Sequence, residues 1–137
     1  MTPHQIDLVQ QSFVHIVPIP DRVAAHFYNR LFRLAPQVRP LFKADMKAQG
    51  RKLVTMLAMV VDGLDRLDAI VPAMRELAIR HVAYGVQPAH YDLVGAALID
   101  TLRELLGPDF DSETEAAWAE AYQVIAGVMV EAGRAAA

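Results

Sequence analysis

The stretch "RHVAYGVQPAHY", residues 80–91, sets a histidine on the oily side of a helical segment just before a glycine and a proline. Upstream, Ile70, Met74, Leu77, Ala78 and His81 recur at helical spacing, which predicts a helix over about 68–83 with His81 on its apolar face. Gly85 suits the left-handed residue that ends such a helix, and Pro88 suits the first turn of the next. That next helix is expected to reach Leu106, with Tyr91, Val94, Leu98, Leu102 and Leu105 on its inner face. A histidine in this setting is either a packed residue with a hydrogen-bond partner or a ligand for something buried.

Outward from this stretch the same periodicity persists and period-two alternation is nearly absent, so the fold class reads as all-α. Thr2, Pro3 and Gln5 spell a capping box with proline at the first helical position. "VPIP" (17–20) is expected to stop this first helix. A second helix, about 21–34, carries Ala24, Phe27, Tyr28 and Leu31 on its apolar face, and "APQVRPLF" (35–42) reads as a short helix and a corner. A third is expected from Asp45 or Met46 to about Leu64, with Leu53, Met56, Leu57, Val60 and Leu64 as its stripe and Gln49 on the same side. "GPDFDS" (107–112) separates the fifth helix from the last. Ser112 and Glu115 read there as a second capping box before a face of Trp118, Tyr122, Ile125 and Met129. With no repeat or linker, residues 1–137 read as one domain.

Composition narrows the function. The chain is 54% hydrophobic with a mean hydropathy of +0.22, yet no apolar run approaches the roughly 18 residues of a membrane span. The opening "MTPHQIDLVQQSF" lacks a basic segment followed by an apolar one, so no secretion signal is expected and a cytoplasmic location is. The absence of cysteine excludes disulfides, thiolate ligands and a cysteine nucleophile. A net charge of -3 with both signs interspersed argues against nucleic acid or an anionic membrane as partner. So oily a small chain points to a large interior or an apolar ligand inside it.

Tyr28, Gln49 and His81 are conspicuous polar groups on three otherwise apolar stripes. Each alone reads as an ordinary core or boundary residue. Together they suggest a shared cavity, because a buried polar group without a partner costs roughly 1–3 kcal/mol. The sequence has no HxxxH, HExxH or carboxylate cluster, no glycine-rich phosphate loop and no GxSxG elbow. A metal held by one histidine must find its other ligands elsewhere, and haem brings four nitrogens of its own.

Four segments resemble the bacterial single-domain haemoglobins and the globin domain of flavohaemoglobins: "FYNRLFRLAPQVRPLF" (27–42), "QGRKLVTML" (49–57), "RHVAYGVQPAHYDLVGAALIDTLRELLG" (80–107) and "AWAEAYQVIAGVM" (117–129). The resemblance implies a globin fold around a haem pocket, with haem b held non-covalently, since no CxxCH is present. It implies His81 as the iron ligand. Tyr28, Gln49 and Leu53 fall on the ligand side, and Phe42, Leu53, Leu57, Leu77, Val86, Tyr91 and Val94 pack the porphyrin. Arg51 and Lys52 lie within reach of the propionates. The implied ligands are dioxygen, carbon monoxide and nitric oxide, and the implied role is reversible oxygen binding, for storage or transport. The alternatives are nitric oxide dioxygenation with an external reductase, and a haem-free or haem-based sensor module. One departure stands out: the last-helix glutamate found in many relatives beside the proximal histidine falls at Gly133, with Glu131 the nearest carboxylate.

Overall fold

The computed structural model describes residues 1–43 and 45–136, and among them the fold is helical with no strand. Six α-helices run α1 (Pro3–Phe13), α2 (Pro20–Leu34), α3 (Met46–Asp62), α4 (Leu67–Ala83), α5 (Pro88–Leu106) and α6 (Ser112–Ala136). Short 3₁₀ segments at Pro36–Leu41, Leu64–Arg66 and Gly107–Asp109 make the corners. The main packing pairs are α4 with α6, α2 with α5, α1 with α6 and α2 with α3. A core of Val9, Phe13, Leu31, Leu102 and Trp118 joins them. No helix among the described residues is long and apolar enough to cross a membrane.

The locally encoded helix starts form as read. Thr2 Oγ1 accepts from the Gln5 amide and Gln5 Oε1 from the Thr2 amide, closing the capping box. Pro88 opens α5, and Asp45 caps α3 by accepting from the amides of Lys47 and Ala48; α2 opens at Pro20, one residue before the expected Asp21. The end of α1 differs from the expectation that "VPIP" stops it: the helix ends at Phe13. A proline at 18 clashes with the carbonyl four residues back, at Val14, and disfavours helix at Val17, so regular geometry fails a full turn upstream. The chain tightens instead into three-residue turns from Val14 to Ile16, and Ile16 swings into the core.

The start of α6 is also corrected. Asp111, not Ser112, caps the helix: its carboxylate accepts from the Thr114 amide at 2.8 Å and its carbonyl from the Glu115 amide. Glu115 does not close a box with Ser112, because it pairs with Arg103 at the end of α5. The Thr114 amide and hydroxyl hold the Asp111 carboxyl below its ordinary value of 3.8. The cap therefore stabilises above that value and fades as pH falls through the lowered one. Asp111→Ala should lower Tm by a few degrees at neutral pH and by progressively less in acid, whereas Ser112→Ala should leave Tm nearly unchanged; scanning calorimetry across pH checks both.

Candidate haem site

Tyr28 is 7% exposed and sits in an aromatic cage. Phe27 and Phe42 meet its ring edge to face at 5.0 and 5.3 Å between centroids, and Phe32 stacks on it at 5.9 Å. The rings fix where the hydroxyl points. Gln49, in the first turn of α3, donates from Nε2 to the Tyr28 hydroxyl oxygen at 3.3 Å. The hydroxyl proton of Tyr28 is thereby left free to donate in turn. Burial raises the Tyr28 pKa and the Gln49 hydrogen bond opposes it, with burial the larger effect, so the phenol is neutral at physiological pH.

His81 lies half-buried in the last turn of α4. Its Nδ1 is 2.8 Å from the Leu77 carbonyl one turn back. A carbonyl only accepts, so the proton sits on Nδ1 and the lone pair on Nε2, to which no described residue bonds. Burial lowers the His81 pKa, the Leu77 bond raises it and the Arg80 charge lowers it, with burial the largest cause. The imidazole is therefore neutral at pH 7, the form that ligates a metal.

The end of α4 is clamped beside it. Gly85, at φ 94°, takes the left-handed conformation that a β-carbon would strain. Its amide donates to the Val82 carbonyl and the Val86 amide to the His81 carbonyl, the double bond pattern of a Schellman cap. The main chain of His81 is thus tied on its C-terminal side, and its ring on its N-terminal side.

Between α3 and α4 the packing lapses. α3 rests mainly on α2 and α1, α4 on α6, and no comparable contact joins α3 to α4. Phe42, Leu53, Leu57, Leu77, Val86, Tyr91 and Val94 are all half-buried, on α3, α4, α5 and the loops beside them. Such a set of apolar side chains, left short of full burial, suits a flat apolar partner. Arg51 and Lys52 are exposed early in α3. Among the described residues no three His, Asp or Glu side chains gather to hold a metal. A metal at His81 would need a group that brings its own donors.

A model of the globin family matches residues 25–129. The chain belongs to the globin family. A solved bacterial globin from Campylobacter jejuni superposes with a TM-score of 0.87 at 27% identity, covering 98% of this globin and 97% of that chain. An engineered carbene transferase from Rhodothermus marinus, named for nitric oxide dioxygenation, gives a TM-score of 0.90 at 29% identity, covering 98% and 94%. In sequence, this globin is 29% identical to a flavohemoprotein of Vibrio cholerae over 134 residues, 96% of its length and 34% of the relative's. It is 34% identical to one of Pseudomonas aeruginosa over 116 residues, 82% of its length and 30% of the relative's. It thus spans about a third of the curated relatives it matches.

Of the polar trio, the globin's structure bonds Tyr28 to Gln49, while His81 is bonded to its own helix. The hydroxyl of Tyr91 makes no bond to His81, whose Nδ1 is engaged by Leu77. The Tyr91 main-chain carbonyl instead accepts from the Tyr122 hydroxyl at 2.5 Å. Gly133 is buried, and a β-carbon there would come within 3.2 Å of Val82 beside His81, whereas Glu131 is exposed. Among the described residues, α6 therefore presents no carboxylate toward His81 at position 133.

Reading the sequence missed the glycines at helix crossings. A β-carbon on Gly50 would lie 2.7 Å from that of Ala24, and one on Gly95 would lie 2.6 Å from the Tyr122 ring. The available signal was a glycine inside a helical pattern, which helix propensity alone would not favour.

Proposed function

We propose that this globin holds haem b at His81 and binds dioxygen reversibly in the cytoplasm. The observation that carries the reading is the His81 imidazole: neutral, half-buried, its Nδ1 engaged by the Leu77 carbonyl and its Nε2 free. The donor set fits the group, since a single neutral imidazole is all that haem iron asks of the protein on one side. When bound, haem supplies the iron at which dioxygen, carbon monoxide or nitric oxide is taken up.

The chain's own residues do the rest. The Leu77 bond fixes the tautomer and orientation of the His81 ring and makes it a better donor. Phe42, Leu53, Leu57, Leu77, Val86, Tyr91 and Val94, half-buried beside it, would pack the macrocycle and exclude water. Arg51 and Lys52, exposed early in α3, would pair with its propionates. Tyr28 would donate a hydrogen bond from its hydroxyl to the oxygen ligand while keeping its proton. Gln49, by donating to the same hydroxyl, polarises it and strengthens that donation.

Nitric oxide dioxygenation is the second reading, favoured by the Tyr28–Gln49 pair and by the name of the Rhodothermus marinus relative. It needs an external reductase to return the iron to its ferrous form. Visible spectra of the purified protein, ferric, ferrous and with carbon monoxide, test the primary reading. The expected result is one haem b per chain with a histidine-ligated ferrous spectrum. A colourless protein that takes up no added haem would overturn it and leave a haem-free sensor module. Adding nitric oxide to the oxygenated sample should yield nitrate once per haem, and repeatedly only when a reductase is supplied.

A further inference from the structure

We infer that Gly50 is a positioning residue for the Tyr28–Gln49 pair, setting through its contact with Ala24 how firmly the globin holds its oxygen ligand. The inference rests on the function proposed above. Gly50 is buried where α3 crosses α2, and a β-carbon on it would come within 2.7 Å of the Ala24 β-carbon. Real β-carbons essentially never approach so closely, so any side chain at 50 forces the two helices apart or slides one along the other. Ala24 lies one helical turn before Tyr28, and Gln49 is the neighbour of Gly50. The point of closest approach is therefore the point that brings the two polar groups together.

Little else sets the spacing there. Beside the crossing lies an open groove of about 420 Å³, bordered by Asp21, Ala25, Met46 and Lys47 as well as Ala24, Tyr28 and Gly50. The 3.3 Å Gln49–Tyr28 bond is already at the long end of hydrogen bonding, so a shift of a few tenths of an ångström breaks it. Tyr28 is held independently by Phe27, Phe32 and Phe42, so Gln49 is the partner that moves away.

The test is a pair of variants across one contact. Gly50→Ala should displace the Gln49 side-chain amide signals, in ¹⁵N spectra of the haem-free protein, toward those of Tyr28→Phe. In the haem-loaded protein it should speed dioxygen release about threefold, since Gln49 strengthens the Tyr28 bond to the ligand without making it. Adding Ala24→Gly moves the single carbon to the other side of the crossing. The double variant should restore the amide signals and bring release within about twofold of the wild type. Its helix-propensity gain at 50 and loss at 24 cancel, so it folds even if Gly50→Ala does not. Unmoved amide signals in Gly50→Ala, or signals still displaced in the folded double variant, would overturn the inference. The amide arm needs no haem, so its outcome stands apart from whether the protein binds oxygen.

Discussion

His81→Ala should abolish stoichiometric haem binding while leaving the helical fold in place. The substitution removes the only neutral imidazole with a free Nε2 on the apolar face of α4. Losing a mere supporting partner of a metal ligand costs roughly 10–100-fold in affinity, so losing the ligand itself should cost more. The protein fold has little to lose at this position. Alanine is the best helix former, and the Leu77 carbonyl keeps its main-chain role in the helix. The half-buried ring gives up one hydrogen bond, worth about 1 kcal/mol. Haem content per chain and far-ultraviolet circular dichroism measure the two effects separately. Added imidazole should occupy the vacated volume and restore haem uptake in part. A variant that keeps its haem with an unchanged ferrous spectrum would show that another group holds the iron.

What could be read from the chain beforehand was whatever its neighbours in sequence determine. Thr2 with Gln5, Asp45 and Pro88 start helices through contacts within a single turn, and these starts appear where the pattern puts them. The stop at Gly85 is of the same kind. Misreadings arose where a distant residue competes. Glu115 carries the spacing of a capping box, yet Arg103 from another helix takes its carboxylate, and Asp111 does the capping one residue earlier. The early end of α1 is instead local: Pro18 bars helix at Val14 and Val17, and the turn that replaces it buries Ile16.

The candidate site divides along the same line. Tyr28, Gln49 and His81 stood out as polar residues on oily stripes, a one-dimensional signal. What the pattern does not mark is the close approach of helices at Gly50 and Ala24, at Gly95 and Tyr122, and at Gly133 and Val82. A glycine that makes room leaves no periodic mark, since its role is visible only from the neighbour it admits. The bond between Nδ1 of His81 and the Leu77 carbonyl is local, made within one helical turn.

Tyr28→Phe should speed dioxygen release by roughly one to two decades. The phenylalanine keeps the ring and its contacts with Phe27, Phe32 and Phe42, so the pocket keeps its shape and loses only a hydroxyl. A hydrogen bond to an oxygen ligand bearing partial negative charge is worth about 1.5–3 kcal/mol in a dry site, and 1.4 kcal/mol is tenfold in rate. Gln49 loses its partner but is half-buried and can bond to water, so stability should fall by no more than about 1 kcal/mol. Stopped-flow release compared with thermal unfolding therefore separates the ligand contact from the fold. The pH profile gives a second check. Burial holds the Tyr28 pKa above its ordinary value of 10.0, so slow release should persist to about pH 10 and quicken only where the phenol ionises. Release from the variant should show no such rise. If Tyr28→Phe leaves the rate unchanged, the hydroxyl points away from the ligand, and Gln49 must supply the bond; Gln49→Leu would then carry the whole acceleration.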